Sequence, residues 1–354
     1  MFPRVVIDKK KLYENTLRLV NLSKQQGISL HVVTKVHSAD VELAKVCLDA
    51  GASGLADSRI QNLKKLADLN CEKVLLRLPM HSEVDEVVRY ADISFNSELS
   101  TIFKLDAAAK AAHKIHRIVV MFDLGDLREG FLPEQVDEVM PEIVKCENIK
   151  VEGIGVNLTC YGGVIPTADN LGELTRLAKH IESTYSIKLN IVSGGNSSSL
   201  YLLEKGELPE GINNLRVGEG VVLGREAAYG ELMSDMHDDA FILEAEIIEL
   251  KTKNSLPKGL IGMDAFGNKP VFTDKGVMKR GIVAIGRQDV EYTALFPLDG
   301  RIEIIGASSD HMILDLTATE NQYQVGDVVR FKMEYSAMLK LFTSEYVSRV
   351  YLES

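Results

Sequence analysis

Between residues 30 and 223, short β-branched runs alternate with helical segments, and this alternation constrains the fold more than any other feature. Strand-like runs recur at residues 30–35, 54–57, 73–78, 93–96, 117–123, 151–158, 188–193 and 214–223. The stretches between them, such as 97–113, 133–146 and 167–185, carry the apolar spacing and length of helices. About eight strand–helix units in succession predict an α/β fold of the TIM type, a (β/α)8 barrel at the N-terminal side of the chain. A doubly wound open sheet is the alternative, and the strand count disfavours it.

Residues 3–8 read as a lone strand. Residues 9–26 read as an amphipathic helix, with Leu12, Thr16, Leu19, Val20 and Ser23 along one side and Gly27 ending it. After about residue 235 the texture changes. Short β runs at 241–250, 281–285, 302–305, 312–316, 328–335 and 346–352 are separated by turn-rich pieces at 256–259, 297–300 and 325–327. Helical spacing nearly vanishes, which predicts a C-terminal all-β domain. The expected division is residues 1–230 for the barrel and 236–354 for the β domain, with the joint inside 226–239.

A chain of 354 residues has room for a large domain and a smaller one. Its net charge of −11 argues against nucleic acid or an anionic membrane as partner. Neither a signal-peptide core nor an apolar run of membrane-spanning length is found. The four cysteines, Cys47, Cys71, Cys146 and Cys160, are scattered without metal or redox spacing. Free thiols, a cytoplasmic location and no bound metal are expected.

The run His31-Val32-Val33-Thr34-Lys35-Val36-His37 is the first place where chemistry is legible. A buried strand there ends in one lysine, at the end of a barrel strand where active sites of such barrels lie. A partly desolvated lysine becomes a competent amine nucleophile. A surface lysine just past a strand is the other reading of this stretch. Four further runs fall at or just past expected strand ends, where glycines let backbone N–H groups approach an anion and serine hydroxyls add donors. They are Phe122-Asp123-Leu124-Gly125-Asp126-Leu127-Arg128-Glu129-Gly130, Gly153-Ile154-Gly155-Val156-Asn157-Leu158, Ser193-Gly194-Gly195-Asn196-Ser197-Ser198-Ser199 and Leu215-Arg216-Val217-Gly218-Glu219-Gly220. Loops after the seventh and eighth barrel strands frequently form a phosphate site. Beside a strand-end lysine, the glycine-rich pair here points to a phosphorylated aldehyde.

Together with Asp264-Ala265-Phe266-Gly267-Asn268 and Gly306-Ala307-Ser308-Ser309-Asp310-His311, these runs resemble the alanine racemase family over essentially the whole chain. The resemblance implies pyridoxal 5'-phosphate (PLP) as cofactor, joined to Lys35 as a Schiff base, with Lys35 also serving as the base on one face. It implies that Asn196, Ser197, the backbone at Gly218 and Glu219, and Tyr351 hold the phosphate. By the same resemblance Arg216 would face the pyridine nitrogen, and Arg128 would lie near the substrate carboxylate, where a planar fork suits a bidentate contact. It also implies that strand 3–8 joins the C-terminal domain and that the chain forms a head-to-tail homodimer with shared active sites.

Three positions depart from the family pattern. Ala39 stands where a phosphate-contacting tyrosine is common, and Asn157 where a histidine often stacks on the cofactor ring. Arg287 stands where the opposite-face tyrosine is expected, and a guanidinium holds its proton too firmly to act as an acid. His311 is therefore the candidate for the opposite face, because an imidazole is the side chain suited to proton exchange near neutrality, with Asp310 beside it. Asp264 is a second candidate. The resemblance implies a racemase of a small-molecule amino acid, ornithine or another basic one. Alanine or broad-specificity racemisation, a related decarboxylase and a non-catalytic PLP-binding homeostasis protein are the other readings. Metal-dependent aldolase relatives are disfavoured, since residues 315–354 hold neither histidine nor cysteine.

Overall fold

The computed structural model describes residues 1–352. It forms two compact units, residues 10–238 and residues 1–9 joined to the chain from Asp239 onward.

β1 (Arg4–Asp8) runs into α1 (Lys9–Gln25), whose buried residues Leu12, Thr16, Leu19, Val20 and Ser23 recur at helical spacing. Eight strands then close a parallel barrel: β2 (Ser29–Val33), β3 (Gly54–Asp57), β4 (Glu72–Leu75), β5 (Ile93–Asn96), β6 (His116–Met121), β7 (Ile149–Gly155), β8 (Ile191–Ser193) and β9 (Asn214–Val217). Pairing of His31 with Arg216 between β2 and β9 completes the ring. The intervening helices are α2 (Val41–Asp49), α3 (Ile60–Lys65), α4 (Val84–Tyr90), α5 (Leu99–Ala111), α6 (Val136–Val144), α7 (Ala168–Tyr185), α8 (Leu200–Lys205) and α9 (Glu219–Leu223). Val33, Ala56, Val74, Ile93, Phe95, Val119 and Met121 pack inside the barrel. A larger cluster, including Ile118, Phe122, Val139, Ile154 and Leu174, lies between strands and helices. Gly153 is required by the packing, since a Cβ there would lie 2.0 Å from the Ile191 carbonyl oxygen.

The second unit contains β10 (Phe241–Asn254), β11 (Val277–Val283), β12 (Leu295–Pro297), β13 (Glu303–Ala307), β14 (Met312–Asp315), β15 (Val328–Met333), α10 (Tyr335–Leu341) and β16 (Ser348–Leu352). β1 lies in this sheet, antiparallel to β10 and parallel to β16, with Val5 opposite Leu243 and Arg349.

The structure corrects several element readings. The strand expected at 30–35 stops at Val33, and Lys35 sits in a one-turn 3-10 helix, Thr34–His37. The run 214–223 is a strand and a short helix broken at Gly218, because a fully buried apolar run carries no period that separates the two. In the second unit, residues 335–341 form a helix that buries Ala337, Met338 and Leu341, in a stretch to which the sequence reading gave no helix.

A pH effect on stability arises in the barrel core. His116 is 3% exposed and its Nε2 lies 2.8 Å from Ser94 Oγ. Burial pushes its imidazole down to about 4. The folded state therefore stays neutral at this site while the unfolded chain takes up a proton near pH 6.5, so stability falls as pH drops from 6.5 through 4. The full loss from this group is about 3 kcal/mol. Urea unfolding at pH 7 and pH 4.5 should show His116→Gln losing about 2 kcal/mol less than the parent over that interval. Equal losses in both proteins would remove His116 as the cause.

Candidate active site

The carboxyl ends of the barrel strands carry most of the residues singled out above. β2 hands over to the turn that presents half-buried Lys35. Thr34 Oγ1 donates to Asp57 Oδ2 at 2.7 Å, and Asp57 Oδ1 accepts from Arg59 N (2.9 Å) and Asn62 Nδ2 (3.1 Å). Asp57 ends β3 and is fully buried. Burial pushes its carboxyl up, while these hydrogen bonds and the Lys35 charge pull the other way. Ser38 and Ala39 both have φ of +53°, an uncommon conformation for residues with a Cβ. Their turn lets Asp40 cap α2 through the Glu42 and Leu43 N–H groups. Ala39 is buried in that turn.

The ends of β7, β8 and β9 are fastened to one another. Asn196 Nδ2 donates to Asn157 Oδ1 and to the Leu158 carbonyl, both at 2.9 Å. Asn196 Oδ1 accepts from Ser198 N at 2.8 Å, and Ser197 Oγ accepts from Gly220 N at 3.1 Å. Gly218 follows β9, where a Cβ would be only 3.1 Å from that of Val33. Ser197 and Glu219 each open a helical turn, so these two loops begin with N–H groups that their own helices do not use. Among the described residues, the buried Asn157 Nδ2 has no hydrogen-bond partner.

Arg216 is 4% exposed and heads a chain of hydrogen bonds through the barrel interior. Its Nη2 donates to the Val156 carbonyl at 2.8 Å, and its Nη1 donates to Ser193 Oγ. Ser193 donates to Asn214 Oδ1 at 2.5 Å, and Asn214 Nδ2 donates to His31 Nδ1 at 2.7 Å. That bond leaves the proton on His31 Nε2, which lies 3.0 Å from Glu72 Oε1, and Arg117 pairs with Glu72 at 2.9 Å. The donors point one way throughout, from a buried guanidinium to a carboxylate. Burial pulls the Arg216 guanidinium down to about 10, which still leaves it charged at neutral pH. It also lies over the Phe95 ring, 4.8 Å from the centroid.

The loop after β6 carries Arg128. Its neck is closed by Asp123 N to the Phe131 carbonyl and Phe131 N to the Met121 carbonyl, both 2.9 Å. Gly130 is needed there: its φ is +142° and a Cβ would lie 2.2 Å from Asp123 N. Buried Asp126 accepts from the N–H groups of Cys160, Tyr161 and Val164, joining this loop to the one after β7. Arg128 donates through Nε and Nη2 (2.6 Å) to both oxygens of Glu129. That carboxylate raises the Arg128 pKa.

The remaining residues belong to the β-rich unit. His311 is exposed, and Asp310 accepts from Ser309 Oγ at 2.6 Å rather than from His311. Arg287 donates to Tyr292 Oη at 3.1 Å and lies 4.4 Å from the Phe266 ring centroid. Asp264 caps its own turn through Phe266 N and Asn268 N, and those bonds hold its carboxyl below the usual range. Tyr351 lies in β16 opposite Ile7. Among the described residues no group of three or more histidines, cysteines or carboxylates could hold a metal, and no helix is long and apolar enough to cross a membrane. Sequence reading assigned no role to Glu129, Asp57, Ser193 or Asn214. Glu129 and Ser193 stood in motifs already quoted, whereas the bonds of Asp57 and Asn214 become visible only when neighbouring strands are in register.

A barrel whose strand ends gather a lysine, two arginines and an asparagine–serine loop matches a known family. Residues 7–226 match the family model "Alanine racemase, N-terminal domain", and the chain belongs to that family. Among curated proteins it is 52% identical to the ornithine racemase of Acetoanaerobium sticklandii, over 99% of both chains. It is 40% identical to the lysine racemase of Thermotoga maritima, again over 99% of both. Among solved structures, an alanine racemase from Streptomyces lavendulae superposes with a TM-score of 0.75 at 18% identity, covering 100% of this chain and 98% of that one.

Proposed function

We propose that this protein is a PLP-dependent racemase of basic amino acids, with ornithine as the leading substrate. The observation that carries it is the full-length similarity to racemases of ornithine and lysine, in a chain whose barrel strands are followed by the turn of Lys35 and the loop of Asn196 and Ser197. The residues present fit such a cofactor. Asn157 keeps a buried amide donor without a protein partner, and Gly218 lacks the side chain that would crowd Val33. The groups nearby are hydroxyls, amides and guanidinium, which suit a phosphate and a ring nitrogen that accepts.

Lys35 would hold PLP covalently, and Asn196, Ser197, Gly218, Glu219 and Tyr351 would bind its phosphate. Bound PLP supplies an electron sink that acidifies the Cα–H of an amino acid. Arg216, with no acceptor atom and a proton it keeps at neutral pH, holds a ring nitrogen in its unprotonated form and restrains that sink. Arg128 takes the substrate carboxylate. The Lys35 amine removes or returns the Cα proton on one face. His311 is our candidate for the other face, supplied by the β-rich unit of a partner in a head-to-tail homodimer. The four unpaired cysteines favour a reducing, cytoplasmic setting.

Incubation with L-ornithine, L-lysine and L-alanine in D₂O, followed by chiral chromatography with mass detection, tests this directly. D-ornithine carrying deuterium at Cα is the expected product. Exchange without inversion would leave Lys35 working and remove the second acid. No exchange on any of the three would overturn the racemase reading.

A further inference from the structure

We propose that Glu129 is the specificity-determining residue, the carboxylate that receives the terminal ammonium of the substrate side chain. The proposal rests on the racemase reading above and on Arg128 as the carboxylate-binding group.

The Arg128–Glu129 pair uses the Nε–Nη2 edge of the guanidinium, the edge that suits a bidentate carboxylate. An incoming α-carboxylate therefore meets Glu129 already in its place. Glu129 is the more buried partner, its side chain 18% exposed against 43% for Arg128. It is also the first of the charged groups that raise the pKa of buried Arg216. Three other carboxylates at this end of the barrel accept from backbone or neutral side-chain donors, while buried Glu83 pairs with Arg77 and with Gln61. Asp57 is held by Thr34, Asn62 and Arg59 N. Asp123 caps Gly125 N and Leu127 N, and Asp126 holds the loop after β7. Glu129 is thus the anion here whose bonded partner is a cationic side chain that substrate would claim.

A diamino acid carries both charges needed to exchange with this pair. Its α-carboxylate replaces Glu129 on Arg128, and its terminal ammonium replaces Arg128 on Glu129. No charge is left unpaired. A substrate with an apolar side chain takes Arg128 and strands a mostly buried carboxylate, which is costly. Discrimination then comes from the penalty on the wrong substrate as much as from attraction of the right one.

The test compares L-ornithine with L-norvaline, the same carbon chain without the terminal amine, on wild-type, Glu129→Gln and Glu129→Asp holoenzyme. The ratio of ornithine to norvaline kcat/KM should fall about 100-fold in Glu129→Gln, and Glu129→Asp should restore part of it. Calorimetric binding of both amino acids to the same proteins should show the same change in preference without reference to turnover. An unchanged ratio, or equal losses on both substrates, would make Glu129 an anchor for Arg128 and overturn the proposal. If wild-type holoenzyme racemises neither compound, the racemase reading fails, and the binding preference still decides whether Glu129 receives the ammonium.

Discussion

Lys35→Ala is expected to lower racemisation at least about a thousand-fold, because it removes both the amine that would carry the cofactor and the base for one face of Cα. Lys35→Arg separates these functions from charge. It keeps a cation at the end of β2, but a guanidinium neither attacks an aldehyde nor gives up its proton near neutrality, so it should be as inactive as the alanine variant. Both should also lose the visible absorbance of covalently held cofactor after gel filtration. Stability should change little, since Lys35 is half-buried in a turn fastened by the Thr34–Asp57 hydrogen bond. The checks are single-turnover Cα exchange in D₂O, absorbance after desalting and thermal unfolding. A Lys35→Arg enzyme with a tenth or more of the parent's activity would move the nucleophile elsewhere.

The fold was legible because barrel strands are buried on both faces and separated by amphipathic helices, a pattern that survives in one sequence. Boundaries were less legible where local and tertiary signals conflict. Lys35 reads as the end of a strand, yet the chain turns at Thr34 because Thr34 bonds across to Asp57 on the next strand, a partner 23 residues away. Residues 214–223 read as one strand because Gly218 can either continue or break a run, and what decides is its close approach to Val33. The lysine, the arginines and the Asn-Ser loop were singled out because they stand in motifs. Ser193, Asn214 and His31 were not given roles, since their chain of hydrogen bonds depends on register between β8, β9 and β2. Glu129 was quoted without a role, because a Glu beside an Arg reads as a surface pair until its burial is seen.

Arg216→Met is the second large effect, and its diagnostic feature is a mismatch between activity and stability. The guanidinium is wholly inside the barrel, with neutral acceptors on Ser193 and Val156 as its bonded partners, and burial pulls its pKa down to about 10. Keeping a cation there costs desolvation energy that a packing role would not require. Methionine relieves that cost but leaves the Val156 carbonyl without its side-chain donor, a loss of about 1–3 kcal/mol. These effects oppose one another, so unfolding stability should change by no more than about 2 kcal/mol. Racemisation should nevertheless fall about 100-fold or more, because under the proposed assignment the ring nitrogen would lose the group that keeps it unprotonated. Keto-acid formation, the side reaction of an over-strong electron sink, should rise relative to racemisation. Asn214→Leu, which cuts the chain one bond from Ser193, should reproduce a weaker form of that ratio change by letting Arg216 shift. A protein unfolded by Arg216→Met, or one that races on unchanged, would each contradict the assignment: the first makes the arginine a structural element, and the second leaves its buried charge without a function.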